Sequence, residues 1–347
     1  MEVKGEISTQ FDSSSPMYLA DESGVAYGVK HIGNKPRVSV TPYLYDIAEG
    51  QVPGHYGLNK FGHNNDVGAT LEAVWDGSGV YTWPTVAATV NAAAGATDGG
   101  VVTYTSAATG GTTTTLIDTA QDFTAGSVVA AGDLILDDDN DEIGYVTIVA
   151  ATILTFAIAK DTAFTLGTNY RIVDKSAGGV GAQVIQVQGL NANYVMQKEF
   201  IVLNNATDVP TASTYLRMFR AIVLLSGSAG WNVANITLTG AALIAQITAQ
   251  ENQTLMAVWT VPAGHTFYMT DYYAATSSAK VTEVHLYARP FGGVFNIKSI
   301  IVLNQGKSER IYRLPNKFDE KTDITIKAKA ASGGGSVSAG FSGWYEA

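Results

Sequence analysis

The sequence predicts an all-β protein, and three observations carry that prediction. The first is alternation with a period of two. Val284, Leu286 and Ala288 alternate with Glu283, His285, Tyr287 and Arg289, and Ile324, Ile326 and Ala328 with Thr325, Lys327 and Lys329. Such a pattern buries one face of a strand and wets the other. The second is punctuation by turn formers: Pro262-Ala263-Gly264, Pro290-Phe291-Gly292-Gly293, Asn304-Gln305-Gly306 and Ser332-Gly333-Gly334-Gly335. The third is the near absence of helical periodicity. Only 239–249 could form a short helix, and the same residues fit a buried strand.

The elements fall into two β-sandwich or jelly-roll-like domains, an inserted small β module and an extended N-terminal arm. Residues 1–60 form the arm. Ser13-Ser14-Ser15-Pro16, Gly33-Asn34-Lys35-Pro36, Thr41-Pro42 and Val52-Pro53-Gly54 break it before any long element can form. Tyr18, Tyr27, Tyr43 and Tyr45 are spread through it. Aromatics without local periodicity suit a segment that docks on another surface, since a disordered tail is poorer in them.

The first domain spans 61–243. Leu71, Val74, Trp75, Tyr81 and Trp83 start it, and the strand pattern resumes near Ala182. There, 183–188 and 199–203 read as a hairpin across the Gly189–Asn193 turn. The interruption, 103–175, reads as a small β-barrel-like module with its own strands at 128–136, 143–150, 152–158 and 170–173. Its low-complexity flanks, 91–100 and 176–181, read as hinges. The second sandwich domain covers 244–347.

Composition narrows the function. No cysteine is present, which excludes disulfides, thiolate zinc sites and thiol catalysis. The net charge of −10 argues against nucleic acid as the main partner. The densest basic region, 307–329, is interleaved with Glu309, Asp319, Glu320 and Asp323 and reads as a solvated face or a subunit contact. No apolar run reaches the ~20 residues a membrane helix needs, and the N-terminus shows no apolar signal segment. No membrane partner is therefore expected.

Chemistry-bearing constellations are few. Asp137, Asp139 and Asp141, in the run Asp137–Glu142, could supply oxygen ligands to calcium. The EF-hand pattern fails there, with Glu142 at the turn-glycine position and Ile148 at that of the bidentate glutamate. A solvated β-turn before Ile143 is the favoured reading. Gly306-Lys307-Ser308 looks like the end of a phosphate loop, but Ile301 stands where the leading glycine belongs. His31, His55, His63, His265 and His285 form no metal motif, and His285 falls on a wet strand face. Asp66, Glu72 and Asp76 beside Trp75 and Trp83 are the one place for a paired-carboxylate glycan site. No catalytic residue or cofactor is expected.

Several segments share a likeness. They are Val52-Pro53-Gly54-His55, Lys60-Phe61-Gly62-His63-Asn64-Asn65-Asp66-Val67, Glu72-Ala73-Val74-Trp75-Asp76 and Tyr81-Thr82-Trp83-Pro84. With them go 187–194, Arg217-Met218-Phe219-Arg220-Ala221, Thr260-Val261-Pro262-Ala263-Gly264 and 336–341. Together they resemble virion-associated structural proteins of marine tailed bacteriophages, over most of the chain outside 103–174.

The resemblance implies a place on the exterior of a phage particle assembled in the host cytoplasm. It does not decide head from tail. The expected role is a non-enzymatic decoration or cement protein, binding the head surface through its arm to stabilise or decorate it, and partnered with itself, as a trimer, and with the major capsid or other virion proteins. The alternative is a tail or fibre adaptor that contacts host surface glycans; a polysaccharide-cleaving enzyme is the remote one. No solenoid repeat, heptad or Gly-x-y repeat marks a tailspike or fibre shaft.

Overall fold

The computed structural model describes residues 18–20, 26–28, 30–32, 35–37, 43–331 and 334–347. The protein is all-β: strands make up 55% of it and helix 2%, in several sheets of sandwich character. Two short antiparallel hairpins come first, β1 (Tyr18–Ala20) with β2 (Ala26–Gly28) and β3 (Lys30–Ile32) with β4 (Lys35–Arg37). One helical turn follows, α1 (Tyr43–Ala48), stopped by Gly50 at φ 68°. Among its described side chains it buries only Ile47, so its six residues carry too little periodicity to be seen in sequence.

The described residues up to Leu58 form one compact unit with Trp344–Ala347. Within it Tyr56 stacks on Tyr345 at 5.1 Å, and His55 lies 2.7 Å from Glu346. Asn59–Gly343 forms the second unit.

Its strands run in chain order. β5 (His55–Val67), β6 (Glu72–Ala73) and β7 (Asn91–Ala93) precede the inserted segment. The insert holds β8 (Val101–Ala107), β9 (Gly110–Gly111), β10 (Thr115–Ile117) and β11 (Leu134–Asp137). It continues with β12 (Glu142–Val149), β13 (Ile153–Phe156) and β14 (Asn169–Asp174). After it come β15 (Ala182–Leu190), β16 (Met196–Val202), β17 (Val209–Pro210) and β18 (Arg217–Ser226). β19 (Ile236–Thr239), β20 (Leu243–Ile247) and β21 (Val258–Thr260) lead to the final four. These are β22 (Thr266–Arg289), β23 (Asn296–Phe318), β24 (Asp323–Ala330) and β25 (Gly335–Glu346).

The insert's seven strands pair with one another in the order β8-β14-β11-β12-β13-β10-β9. They enclose a core of Leu116, Phe123, Ile135, Phe156, Phe164 and Ile172. All four residues of β11 are buried because alternation gives each face a cover. Ile135 faces the insert's own core, while Leu134 and Leu136 meet Val184, Phe200 and Leu225 of the host strands.

The host is a sandwich of a three-stranded sheet, β16-β15-β18, and a four-stranded one, β17-β7-β19-β20. Ile185, Val187, Ile201 and Met218 from the first share a core with Ala92, Ile236, Leu238 and Ile247 from the second. The ambiguous stretch 239–249 is thus resolved as strand, β20 pairing with β19.

The insert's flanks are locked rather than hinged. Asp98, fully buried, accepts hydrogen bonds from the amides of Ala182 (2.7 Å), Val233 (2.9 Å) and Ala234 (3.0 Å). Gly179 N–H donates to Gly99 O at 2.7 Å and Gly181 N–H to Thr97 O at 3.0 Å. A Cβ on Gly181 would strike the Asp98 carboxylate, so this glycine serves close approach, not flexibility.

The last sheet runs β21-β24-β22-β25-β5, with β23 on the free side of β22 and β6 on β24. Two strands from the start of 61–243, β5 and β6, therefore lie in the sheet of the C-terminal half. The sequence reads Asn304-Gln305-Gly306 as a turn, but it lies within β23 opposite a bulge of β22, where Ser277–Lys280 face Gln305 alone. Gln305 (φ 53°) and Gly306 (φ 114°) absorb the irregularity while pairing resumes on either side, Asn304 with Val281 and Gly306 with Thr276. The true turn is Pro290–Gly293, closed by Gly293 N–H to Pro290 O at 2.9 Å.

Candidate assembly surface

β22 and β23 form a hairpin of 24 and 23 residues, well beyond the usual strand length of about 5–6. Among the described residues, no strand pairs with the outer edge of β23. Its alternation is clear at first: Ser299, Ile301 and Leu303 are buried while Ile300 and Val302 face outward. From Asn304 to Lys317 both faces are largely open. Val302 is 62% exposed, Ile311 72% and Leu314 84%.

Open strand edges are normally blunted by charge, proline or brevity. β23 has the charge, in Lys298, Lys307, Arg310, Arg313 and Lys317 against Glu309 alone, and it has Pro315. It also has bulges, at Lys298 and over Tyr312–Pro315, but it lacks brevity, and none of these devices calls for three large apolar side chains held in water. A long edge with apolar and cationic side chains is instead suited to pairing with a partner strand of opposite charge.

A buried ionic clamp ties this hairpin to the host sandwich. Arg217 at the start of β18 and Arg289 at the end of β22 converge on Asp323 at the start of β24. Arg217 makes a two-pronged contact, Nε to Oδ1 at 3.0 Å and Nη2 to Oδ2 at 3.2 Å. Arg289 Nε donates to Oδ2 at 3.0 Å, and Thr260 Oγ1 donates to Oδ1 at 2.6 Å. The Trp83 ring lies between the two guanidiniums, 5.1 and 5.4 Å from their centres, with Phe295 beside it. The end of β22 is therefore held against the host sandwich by ionic as well as sheet contacts.

The residues singled out in sequence scatter over the molecule. Asp137 is buried and accepts from Asn140 N–H (3.1 Å), from the Asn140 amide group and from the Lys160 ammonium. Asp139 accepts from Asn169 N–H at 2.8 Å and Nδ2 at 3.0 Å, and these bonds hold its carboxyl below the ordinary range. Asp141 occupies the left-handed turn position at φ 53°, and burial pushes its carboxyl up. The three carboxylates thus serve three different sets of partners in the turn between β11 and β12. Among the described residues no group of three His, Asp or Glu side chains is gathered to hold a metal ion.

Asp66 and Asp76 share a cleft of about 300 Å³ with His63, Gln246 and Glu251, while Glu72 turns away to accept from Gly68 N–H at 3.0 Å. Trp75 is core, 2% exposed, with its Nε1–H on Ser78 O, and Trp83 belongs to the clamp. Of the two aromatics, Trp75 lines this cleft beside Asp66 and Asp76, while Trp83 and Glu72 do not.

Lys307 and Ser308 lie in β23, where the strand offers no phosphate cradle. His285 is 6% exposed rather than wet: Glu283 (3.0 Å) and the Tyr287 ring (5.9 Å), two residues away on the same face, cover it. Tyr45 is 43% exposed. The side chains of Tyr18, Tyr27 and Tyr43, and His31, lie outside the described residues.

No family model, curated protein or solved structure matches the chain. What fold and surface define is a multi-sheet β protein with an open, basic, apolar strand edge.

Proposed function

We propose that this chain is a non-enzymatic structural protein of a tailed-bacteriophage particle, a decoration or cement subunit of the head exterior. The observation that carries the reading is the outer edge of β23, a long surface with large apolar side chains facing water. The sequence motifs that resemble virion structural proteins supply the setting. In this reading residues 1–60 attach the subunit to capsid or other virion proteins, and β23 joins neighbouring subunits. A second reading, a tail or fibre adaptor touching host glycans, draws on the Pro290–Phe295 loop. There Phe291 is 66% exposed, edge-on to Tyr194 at 5.8 Å and 5.3 Å from the Lys321 ammonium, a ring arrangement that can stack a sugar.

Truncation to Phe61 tests the attachment role. The shortened chain should stay folded and fail to join particles in a cell infected with a phage lacking the full-length gene. Incorporation at the normal level would overturn the role of the arm. Loss of glycan binding on Phe291→Ala, with incorporation intact, would instead favour the adaptor.

A further inference from the structure

We propose that the outer edge of β23 binds the 101–175 module of a second copy of this chain, so that copies associate head to tail. The inference rests on the assembly reading above and names the partner at that surface.

Charge separation is the first argument. Residues 101–175 hold ten acidic and three basic side chains, a net −7 out of the chain's −10, whereas β23 holds five basic and one acidic. Asp118, Asp133 and Asp137 of the ten are buried, but of the three cations Lys160 is buried against Asp137 and Arg171 is spent on Asp138 at 2.7 Å, so the accessible surplus is still carboxylate. Two β23 edges laid against each other would face Lys307, Arg310 and Arg313 with their own like charges, and Pro315 would withhold an amide. Self-pairing of identical edges is thereby disfavoured, and pairing with an acidic edge is favoured.

The module offers such an edge. β8 ends its sheet, and among the described residues its outer side has no strand partner. Val101 and Val102 on it are 41% and 38% exposed. Acidic side chains stand around it: Asp174 lies opposite Val101, and Asp139 holds Asn169, the residue opposite Ala107. Tyr104 Oη donates to the backbone oxygen of Asp122 at 3.2 Å, which ties that residue, with its exposed carboxylate, to the end of a β8 side chain. β8 is seven residues long and can span the regularly paired stretch Gly306–Ile311 of β23, with Arg313 in the bulge Tyr312–Pro315 that follows. Strand addition of that length supplies main-chain hydrogen bonds, with the apolar side chains setting register. Because donor and acceptor surfaces differ, the contact repeats from copy to copy and closes where the rotation allows a ring. The trimer expected from sequence is one such ring.

Sedimentation of the full chain over a range of concentrations at low salt reads this contact. An edge variant (Lys307→Glu, Arg310→Glu, Arg313→Glu) should associate on the order of 100-fold more weakly than the parent. A module variant (Thr105→Lys, Ala107→Lys, Asp122→Lys) should do the same. Mixing the two should restore association, since each then supplies the charge the other lacks. Should either triple variant fold poorly, Arg310→Glu alone, with added salt weakening the parent but not the variant, reads the same pair. Unchanged association of the edge variant, or no recovery on mixing, would overturn the inference while leaving the assembly reading intact. A parent chain that stays monomeric at every concentration and is absent from particles would overturn both.

Discussion

Asp76 and Lys60 show how far burial can move a charge that sequence alone presents as ordinary. Burial pushes the Asp76 carboxyl from 3.8 up to about 7; Leu255 N–H, donating at 3.1 Å to one oxygen, opposes this, and the other oxygen is buried with no partner. Burial, aided by the Arg220 charge, pulls the Lys60 ammonium from 10.5 down to about 7. The signs follow from proton counts. Between 3.8 and about 7 the folded state keeps the Asp76 proton that the unfolded chain has released, so stability falls as pH rises. Between about 7 and 10.5 the unfolded chain keeps the Lys60 proton that the fold has lost, so stability rises with pH. The two contributions place a dip near neutrality. Asp76→Asn should therefore stabilise the protein by on the order of 2 kcal/mol at about pH 8 and by little at about pH 4, read by denaturant unfolding. Equal effects at both pH values would contradict the assignment. Asp323→Asn should cost about 3–5 kcal/mol, because it strips a buried Arg217 of its counter-charge. A loss under about 1 kcal/mol, the range of an exposed pair, would show that the clamp does not hold the hairpin to the sandwich. Asp76 was visible in sequence as a carboxylate beside Trp75. Its partner Leu255 lies 179 residues away, and no local pattern announces such a pairing.

At the scale of elements, alternation was the readable signal. It marked β22 and β24 through Glu283–Arg289 and Ile324–Lys329, and the 183–203 hairpin, where Val187 does pair with Glu199. It failed where the same residue types serve two purposes. Asn304-Gln305-Gly306 has turn composition, yet positive φ also occurs here opposite a bulge, and only the long partner strand decides between them. The glycines at 95–100 and 178–181 look like a flexible linker, yet they are small because backbones meet there around Asp98. The insert is consequently less independent of its host than its self-contained pairing suggests. Replacing 103–175 by a Gly/Ser loop would expose Val184, Phe200 and Leu225, which now pack on Leu134 and Leu136. At about 1.5–3 kcal/mol for each large apolar side chain, this removes much of a typical domain's stability. The deleted protein should melt well below the parent, and Phe200→Ser should improve its solubility. A melting midpoint equal to the parent's would show that the host face does not depend on that cover.

For the whole molecule, sequence conveyed the class but not the surface. Strand periodicity, turn residues and the lack of helical patterns follow from local chemistry, and so the all-β architecture was legible. Which strand ends a sheet depends on pairings between distant segments, so the open edge of β23 could not be read. The basic stretch 307–329 was recognisable only as a solvated face or a subunit contact, and its apolar members Ile311 and Leu314 acquire meaning from their exposure. That edge, the clamp behind it and the acidic module together describe a part suited to repetition in an assembly. The most direct measurement is electron cryomicroscopy, at domain resolution, of the particle to which this chain is proposed to belong. The account predicts repeated copies of this fold on the head exterior, with the β23 edge of each buried against its neighbour. Virions without the protein, or copies whose β23 edge faces solvent, would contradict it.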